Sequence, residues 1–289
     1  MGLRRLLMST QNASEHFMEV NGVKLRYFSW GSESNPKMIC LHGHTGQARI
    51  WDEFAEEMSA SYHVLAFDQR GHGASSYAED GYDRDKFVND LDAIIETLNI
   101  DRVTLVGLSM GGWHSILYTS EFHPEKVEKM VIVDIGPESS EEFKKSFTED
   151  GVRVEPKIKF SSFEEAFNES RSNNPWVSDE GLTRDLTNRL NQNADGTYQW
   201  KADPNLIIPP LKDGTDENLI RRYWEGLAKI DCPILEVQGM ESTLLDSELK
   251  DKMLSTAKNL SWVDVPNAGH VVTVDQPQLF INATREFLS

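Results

Sequence analysis

The 289-residue chain carries 29 Lys and Arg against 47 Asp and Glu, a formal net charge of −18, and its pI is about 4.8. Phosphate backbones and anionic membranes recruit Lys and Arg, so neither nucleic acid nor a membrane is expected as a partner. Hydrophobic residues make up 39% and charged residues 26%, a globular composition rather than a disordered one, and the length suits one large α/β domain or a domain with an insertion.

The N-terminus "MGLRRLLMST" has two arginines but only a short apolar run, and it lacks the apolar core and cleavage site of a signal peptide. No window is long and apolar enough to span a bilayer. A cytoplasmic location is therefore expected, with residues 1–14 as a flexible tail. "HFMEVNGVKLRYFSWG" holds two β-rich runs split by Asn21-Gly22, a strong hairpin signal. "KMICLHG" is a continuous apolar run ending in glycine, which fits a strand buried on both faces. A helical pattern, "ARIWDEFAEEMSA", follows, with Ile50, Phe54 and Met58 at spacing four. Next come a strand, "HVLAFDQ", and a glycine-punctuated loop, "RGHGASS". A helix with Phe87, Leu91, Ile94, Ile95 and Leu98 on one face leads to the buried strand "RVTLVGLS". The helix "MGGWHSILYTSEFHP" stops at Pro124, and "VEKMVIVDIG" is again a strand.

This alternation implies an α/β fold, a mainly parallel sheet covered by helices on both faces. It breaks after Gly136. Residues 137–228 are charged and helix-like, with Trp176, Trp200 and Trp224 scattered through them. They are expected to form a helical cap inserted between core segments 15–136 and 229–289. Strand signals return in "CPILEVQG" and "LSWVDVP", and "QPQLFINATREFL" closes the chain as a helix. Cys40 and Cys232 both lie in apolar runs and read as reduced core thiols. No CxxC or HExxH spacing appears, so no metal or other cofactor is expected.

The chemistry concentrates in "VTLVGLSMGG", where a buried strand runs into Gly107-Leu108-Ser109-Met110-Gly111 and a helix starts at once. This is the pattern of a nucleophile elbow. The turn is so sharp that side chains two residues from the serine would clash, which accounts for the glycines. Ser109 is then presented at a helix N-terminus, where the dipole favours developing negative charge.

With "LHGHTG", "DQRGHGASS", "GLSMGG", "DIGPE" and "NAGH" in this order, nearly the whole chain resembles the α/β-hydrolase fold family, in its serine-nucleophile branch. The resemblance implies that His270, just past the last strand, is the base for Ser109. It also implies an oxyanion hole made by the backbone N–H of Met110 and that of His44. The His44 side chain could touch substrate or line the wall. His42 and His72 read as braces of their loops.

The acid that should orient His270 is missing from its usual family position after "PILEVQG", where Ser242 and Thr243 stand. Some members of the fold take the acid from the loop after the preceding core strand. Here that residue is Asp134, with Glu241 as the alternative. Trp176 and Trp200 are candidate pocket contacts in the cap. Arg153, Arg171, Arg184 and Arg189 could bind a substrate carboxylate or serve in surface ion pairs. The implied function is a carboxylesterase-like serine hydrolase of small-molecule esters or lactones, working through an acyl-enzyme. Amide or carbon–carbon bond hydrolysis on the same triad is one alternative, and a non-catalytic ligand-binding protein of this fold is another. Ser109 argues against branches of the fold that attack with an aspartate. Monomer and dimer remain open.

Overall fold

The computed structural model describes residues 13–145, 148–149, 152–153, 157–207 and 216–289. The tail expected at 1–14 falls outside them up to Asn12, and Ser14 already opens the first strand. Strands β1 (Ser14–Val20) and β2 (Val23–Trp30) form a hairpin, with Val20 opposite Val23. Its turn residues Asn21 and Gly22 have φ of 48° and 78°, the left-handed pair that a two-residue type I′ turn requires.

Strands β3 (Lys37–Leu41), β4 (His63–Phe67), β5 (Val103–Leu108) and β6 (Val127–Val133) follow in chain order. After five short strands in the insertion come β12 (Ile234–Gly239) and β13 (Leu260–Val265). The eight core strands make one sheet in the order β1-β2-β4-β3-β5-β6-β12-β13. The β1–β2 and β2–β4 pairs are antiparallel, and the rest are parallel. Parallel strands put their carboxyl ends at one edge, so the loops after β3, β5, β6, β12 and β13 converge there.

Each sheet face has its own apolar core. On one, the helices Arg84–Thr97, Met110–Glu121 and Glu217–Lys229 cover Leu105, Met130, Ile132 and Ile234. On the other, the helices Asp52–Met58 and Pro277–Leu288 cover Val106, Val131 and Val237. Phe280 is fully buried there, 5.0 Å from the Phe54 ring, and its truncation to alanine would cost about 3–5 kcal/mol.

The insertion differs from an all-helical cap. Besides the helices Phe163–Asn173 and Asp179–Arg189 it contains a three-stranded sheet of β9 (Lys159–Phe160), β10 (Leu190–Gln192) and β11 (Tyr198–Trp200). A two-stranded pairing of β7 (Thr148–Glu149) with β8 (Val152–Arg153) precedes it. The cap has a small core of its own, built on Phe160, Ala166, Leu182, Leu186 and Leu190. The return to the main domain also comes earlier than residue 229. In the helix Glu217–Lys229, Tyr223 stacks on Trp113 at 5.3 Å and 7°, and Gly226 sits so close to the helix Met110–Glu121 that a Cβ would lie 2.7 Å from Ser120 Oγ. That helix therefore belongs to the core.

Candidate active site

Ser109 caps the helix Met110–Glu121 with φ 52° and ψ −117°, a strained conformation for a residue with a side chain. The surrounding glycines make it possible. A Cβ on Gly107 would lie 2.3 Å from Gly111 O, and one on Gly111 would lie 2.2 Å from Leu41 O. Strand, elbow and helix thus pack backbone against backbone. Ser109 N–H donates to Val133 O at 3.0 Å, which ties the elbow to the end of β6. Met110 occupies the first turn of the helix, where N–H groups have no intrahelical acceptor.

The next residue after β6 is Asp134. Its φ is 49°, and its side chain is 0% exposed. Oδ1 accepts from Gly239 N–H at 3.2 Å. Oδ2 accepts from Ser242 Oγ–H at 2.5 Å and lies 2.7 Å from His270 Nδ1. An ionised carboxylate can only accept, so it holds the proton on Nδ1 and leaves Nε2 as the basic nitrogen. The Ser242 hydroxyl, at the position where the family usually carries the acid, thus serves Asp134 as a donor. Glu241 is exposed, and its backbone N–H donates to Ala268 O at 2.9 Å.

His270 sits on a loop pressed against the end of β12: a Cβ on Gly239 would lie 2.1 Å from Gly269 O. A second carboxylate secures this loop. Asp275 Oδ2 accepts from Gly269 N–H at 2.8 Å. Burial, opposed by that hydrogen bond and by His270, pushes its carboxyl up to about 6.

The loop after β3 lies against the nucleophile, since a Cβ on Gly43 would sit 3.1 Å from Ser109 Cβ. It carries His44, whose neighbouring amides have their own partners. Thr45 N–H donates to His72 Nε2 at 3.2 Å, and Gly46 N–H donates to Gly43 O at 3.0 Å. As a whole residue His44 is exposed, yet desolvation of its ring by the surrounding protein, then the charges of His72, Arg84 and Arg189, hold it well below the ordinary imidazole range. His42 and His72 brace the loop as neutral rings. His42 accepts Gln69 N–H at Nε2 (3.0 Å) and donates from Nδ1 to Gly43 O (2.7 Å), and burial brings it down to about 4. His72 donates from Nδ1 to Arg70 O at 2.9 Å.

Sequence reasoning missed a buried polar chain behind this loop. Arg84 donates to His114 Nε2 at 2.7 Å, His114 Nδ1–H donates to Gln69 Oε1 at 2.6 Å, and Gln69 Nε2–H donates to His42 O at 2.7 Å. It also missed the role of Arg189. This cap residue donates to Thr45 O at 3.1 Å and to Thr45 Oγ1 at 2.9 Å, while its guanidinium lies 4.6 Å over Trp200. The cap thus grips the residue after His44, which itself has φ 57°. No spacing signal announces such a contact across 144 residues.

The remaining cap candidates divide. Trp176 is 39% exposed, and a Cβ on Gly269 would lie 3.6 Å from its ring, so it borders the His270 loop. Trp200 lies in the small sheet, its indole N–H on Lys157 O at 2.9 Å. Arg171 binds Val177 O and Asp179, and Arg184 pairs with Glu53. The side chain of Arg153 lies outside the described residues.

The sequence profile of the alpha/beta hydrolase fold matches residues 36–277. The 3-hydroxybutyrate-oligomer hydrolase of Cupriavidus necator is 29% identical, with 89% of this chain and 91% of that protein covered. The 2-(acetamidomethylene)succinate hydrolase of Mesorhizobium japonicum is 26% identical, with 97% and 99% covered. A crystal structure of E-2-(acetamidomethylene)succinate hydrolase superposes with a TM-score of 0.82 at 22% identity, covering 96% of this chain and 99% of the other. Sheet order, elbow and profile agree: the chain belongs to the α/β-hydrolase fold family and is a hydrolase of that fold.

Proposed function

We propose that this hydrolase cleaves carboxylic esters, lactones included, through an acyl-enzyme formed on Ser109. His270 Nε2 takes the Ser109 proton as Oγ attacks the carbonyl carbon, and later returns it to the leaving alcohol. Asp134 fixes the tautomer and stabilises the imidazolium. The N–H groups of Met110 and His44 receive the carbonyl oxygen as it becomes an oxyanion. Water then attacks the acyl carbonyl with His270 again as base, which releases the acid and restores Ser109.

The observation that carries this reading is the His270 Nδ1 contact with a fully buried Asp134, 2.7 Å away, where Asp134 follows Val133, whose carbonyl accepts from the N–H of the strained Ser109 elbow at 3.0 Å. Relatives named a 3-hydroxybutyrate-oligomer hydrolase and a putative esterase/lipase of Haemophilus influenzae support the ester class. Incubation with p-nitrophenyl acetate and butyrate, and with the matching p-nitroanilides, tests it. Esters are expected to turn over faster than anilides, and a fluorophosphonate is expected to label wild type but not Ser109→Ala. A wild-type protein that neither hydrolyses the esters nor takes the label at Ser109 refutes the proposal.

A further inference from the structure

Strand β12 contains one acid, Glu236, in a strand otherwise made for burial, and it is 0% exposed. A carboxyl so far from water is costly unless it is neutral or well satisfied. In the β6–β12 ladder Glu236 stands opposite Ile132, and Val237 opposite Val133. One residue beyond, the chain turns left-handed at Asp134, a conformation that costs an L-residue energy. Asp134 N–H still completes the ladder by donating to Val237 O at 3.0 Å. The next amide, that of Ile135, leaves the ladder, and Glu236 Oε1 accepts from it at 3.3 Å. Ile135 is 1% exposed, so water is no substitute acceptor. Burial first, then the nearby Asp134 charge, pushes the Glu236 carboxyl well above its usual range, while hydrogen bonds from the Ile135 and Asp134 amides oppose this. Among the described residues Glu236 Oε2 has no partner, which also fits a carboxyl whose task is acceptance at Oε1.

We propose that Glu236 is the positioning residue of Asp134: by accepting the Ile135 N–H it holds the left-handed turn after β6 and so keeps the Asp134 carboxylate aimed at His270. Without that acceptor, Ile135 N–H would be a buried orphan in this turn, and backbone conformations that pair it elsewhere would compete. The proposal rests on reading Ser109, His270 and Asp134 as the catalytic set.

The test compares Glu236→Gln and Glu236→Leu in the full chain. Glutamine keeps an oxygen acceptor without a charge; leucine keeps bulk and removes the acceptor. Glu236→Leu is expected to lower kcat for p-nitrophenyl butyrate about 10-fold or more with KM within about twofold. It should also erase the far-downfield proton NMR resonance of the His270–Asp134 hydrogen bond. Glu236→Gln is expected to retain both. A Gln variant as impaired as the Leu variant, or a Leu variant that keeps kcat and the resonance, overturns the proposal. Should the Leu variant not fold, a folded Gln variant decides alone, and loss of its resonance overturns the assignment. The resonance needs no turnover. If wild type hydrolyses no ester yet the resonance follows the expected pattern, the catalytic reading fails while the positioning role stands.

Discussion

Replacing Asp134 by asparagine probes the site most directly. The side chain accepts from Gly239 N–H, Ser242 Oγ–H and His270 Nδ1–H. Asparagine has one oxygen for these donors, and its NH2 would face either His270 or a backbone amide. If it faces His270, the ring must accept at Nδ1 and carry its proton on Nε2, the tautomer that cannot deprotonate Ser109. The charge is lost as well. A carboxylate and an imidazolium with charge centres about 4 Å apart attract by about 4 kcal/mol at an effective dielectric of about 20, or about 10³-fold in rate. Tautomer and charge together place the expected loss in kcat at about 10³–10⁴-fold. Steady-state hydrolysis of p-nitrophenyl butyrate measures it, with circular dichroism checking the fold. An Asp134→Asn enzyme within about 10-fold of wild type, or a comparable loss in Glu241→Gln, refutes the assignment of the acid.

Further outcomes are expected elsewhere. Gly111→Ala places a Cβ 2.2 Å from Leu41 O and should cost about 1–3 kcal/mol or more, read as a lower urea midpoint at unchanged m. Arg189→Ala releases Thr45 O and Oγ1 and should lower kcat about 10-fold by loosening the loop that carries the His44 amide; Arg189→Lys should not restore it, because an ammonium lacks the planar fork. Asp275 has its folded value raised to about 6 from 3.8, so the folded state holds the proton more tightly. Its stabilising contribution is present below the unfolded value and is lost as pH rises through the folded one. Asp275→Asn should therefore gain on wild type by about 2 kcal/mol between pH of about 4 and 6, measured by urea unfolding across that range.

The elbow was legible because its sequence requirement is local: glycines flank a serine where a buried strand meets a helix. Asp134 is legible as a position, since a charge directly after "MVIV" needs a partner and the usual loop carries Ser242 and Thr243, with Glu241 as the alternative. Its setting is not. Glu236 is a single acid inside "ILEVQG", and nothing in a one-residue interruption shows that its carboxyl accepts from a turn on the neighbouring strand. The cap strands have two or three residues each, too few for a period-2 pattern to stand out from helix. All but the last residue of the helix Glu217–Lys229 falls in the stretch 137–228, which reads as cap because it shows no buried strand run, although Tyr223 and Leu227 are fully buried in the main core. The hold of Arg189 on Thr45 depends on how the cap sits over the sheet, which no local pattern encodes.

The hydroxyl at position 242 has a consequence for how such a site could change. Ser242 Oγ lies 2.5 Å from Asp134 Oδ2, so a carboxylate at 242 would meet another carboxylate at a distance where both cannot stay ionised. One of them would keep a proton, and the pair would contend for a single imidazole. On the reading of Asp134 as the acid, a second carboxylate at 242 would compete with it for the imidazole rather than add to it. Moving the acid from one loop to the other takes coordinated changes at both positions, and a chain altered at only one of them would hold either two acids in conflict or none.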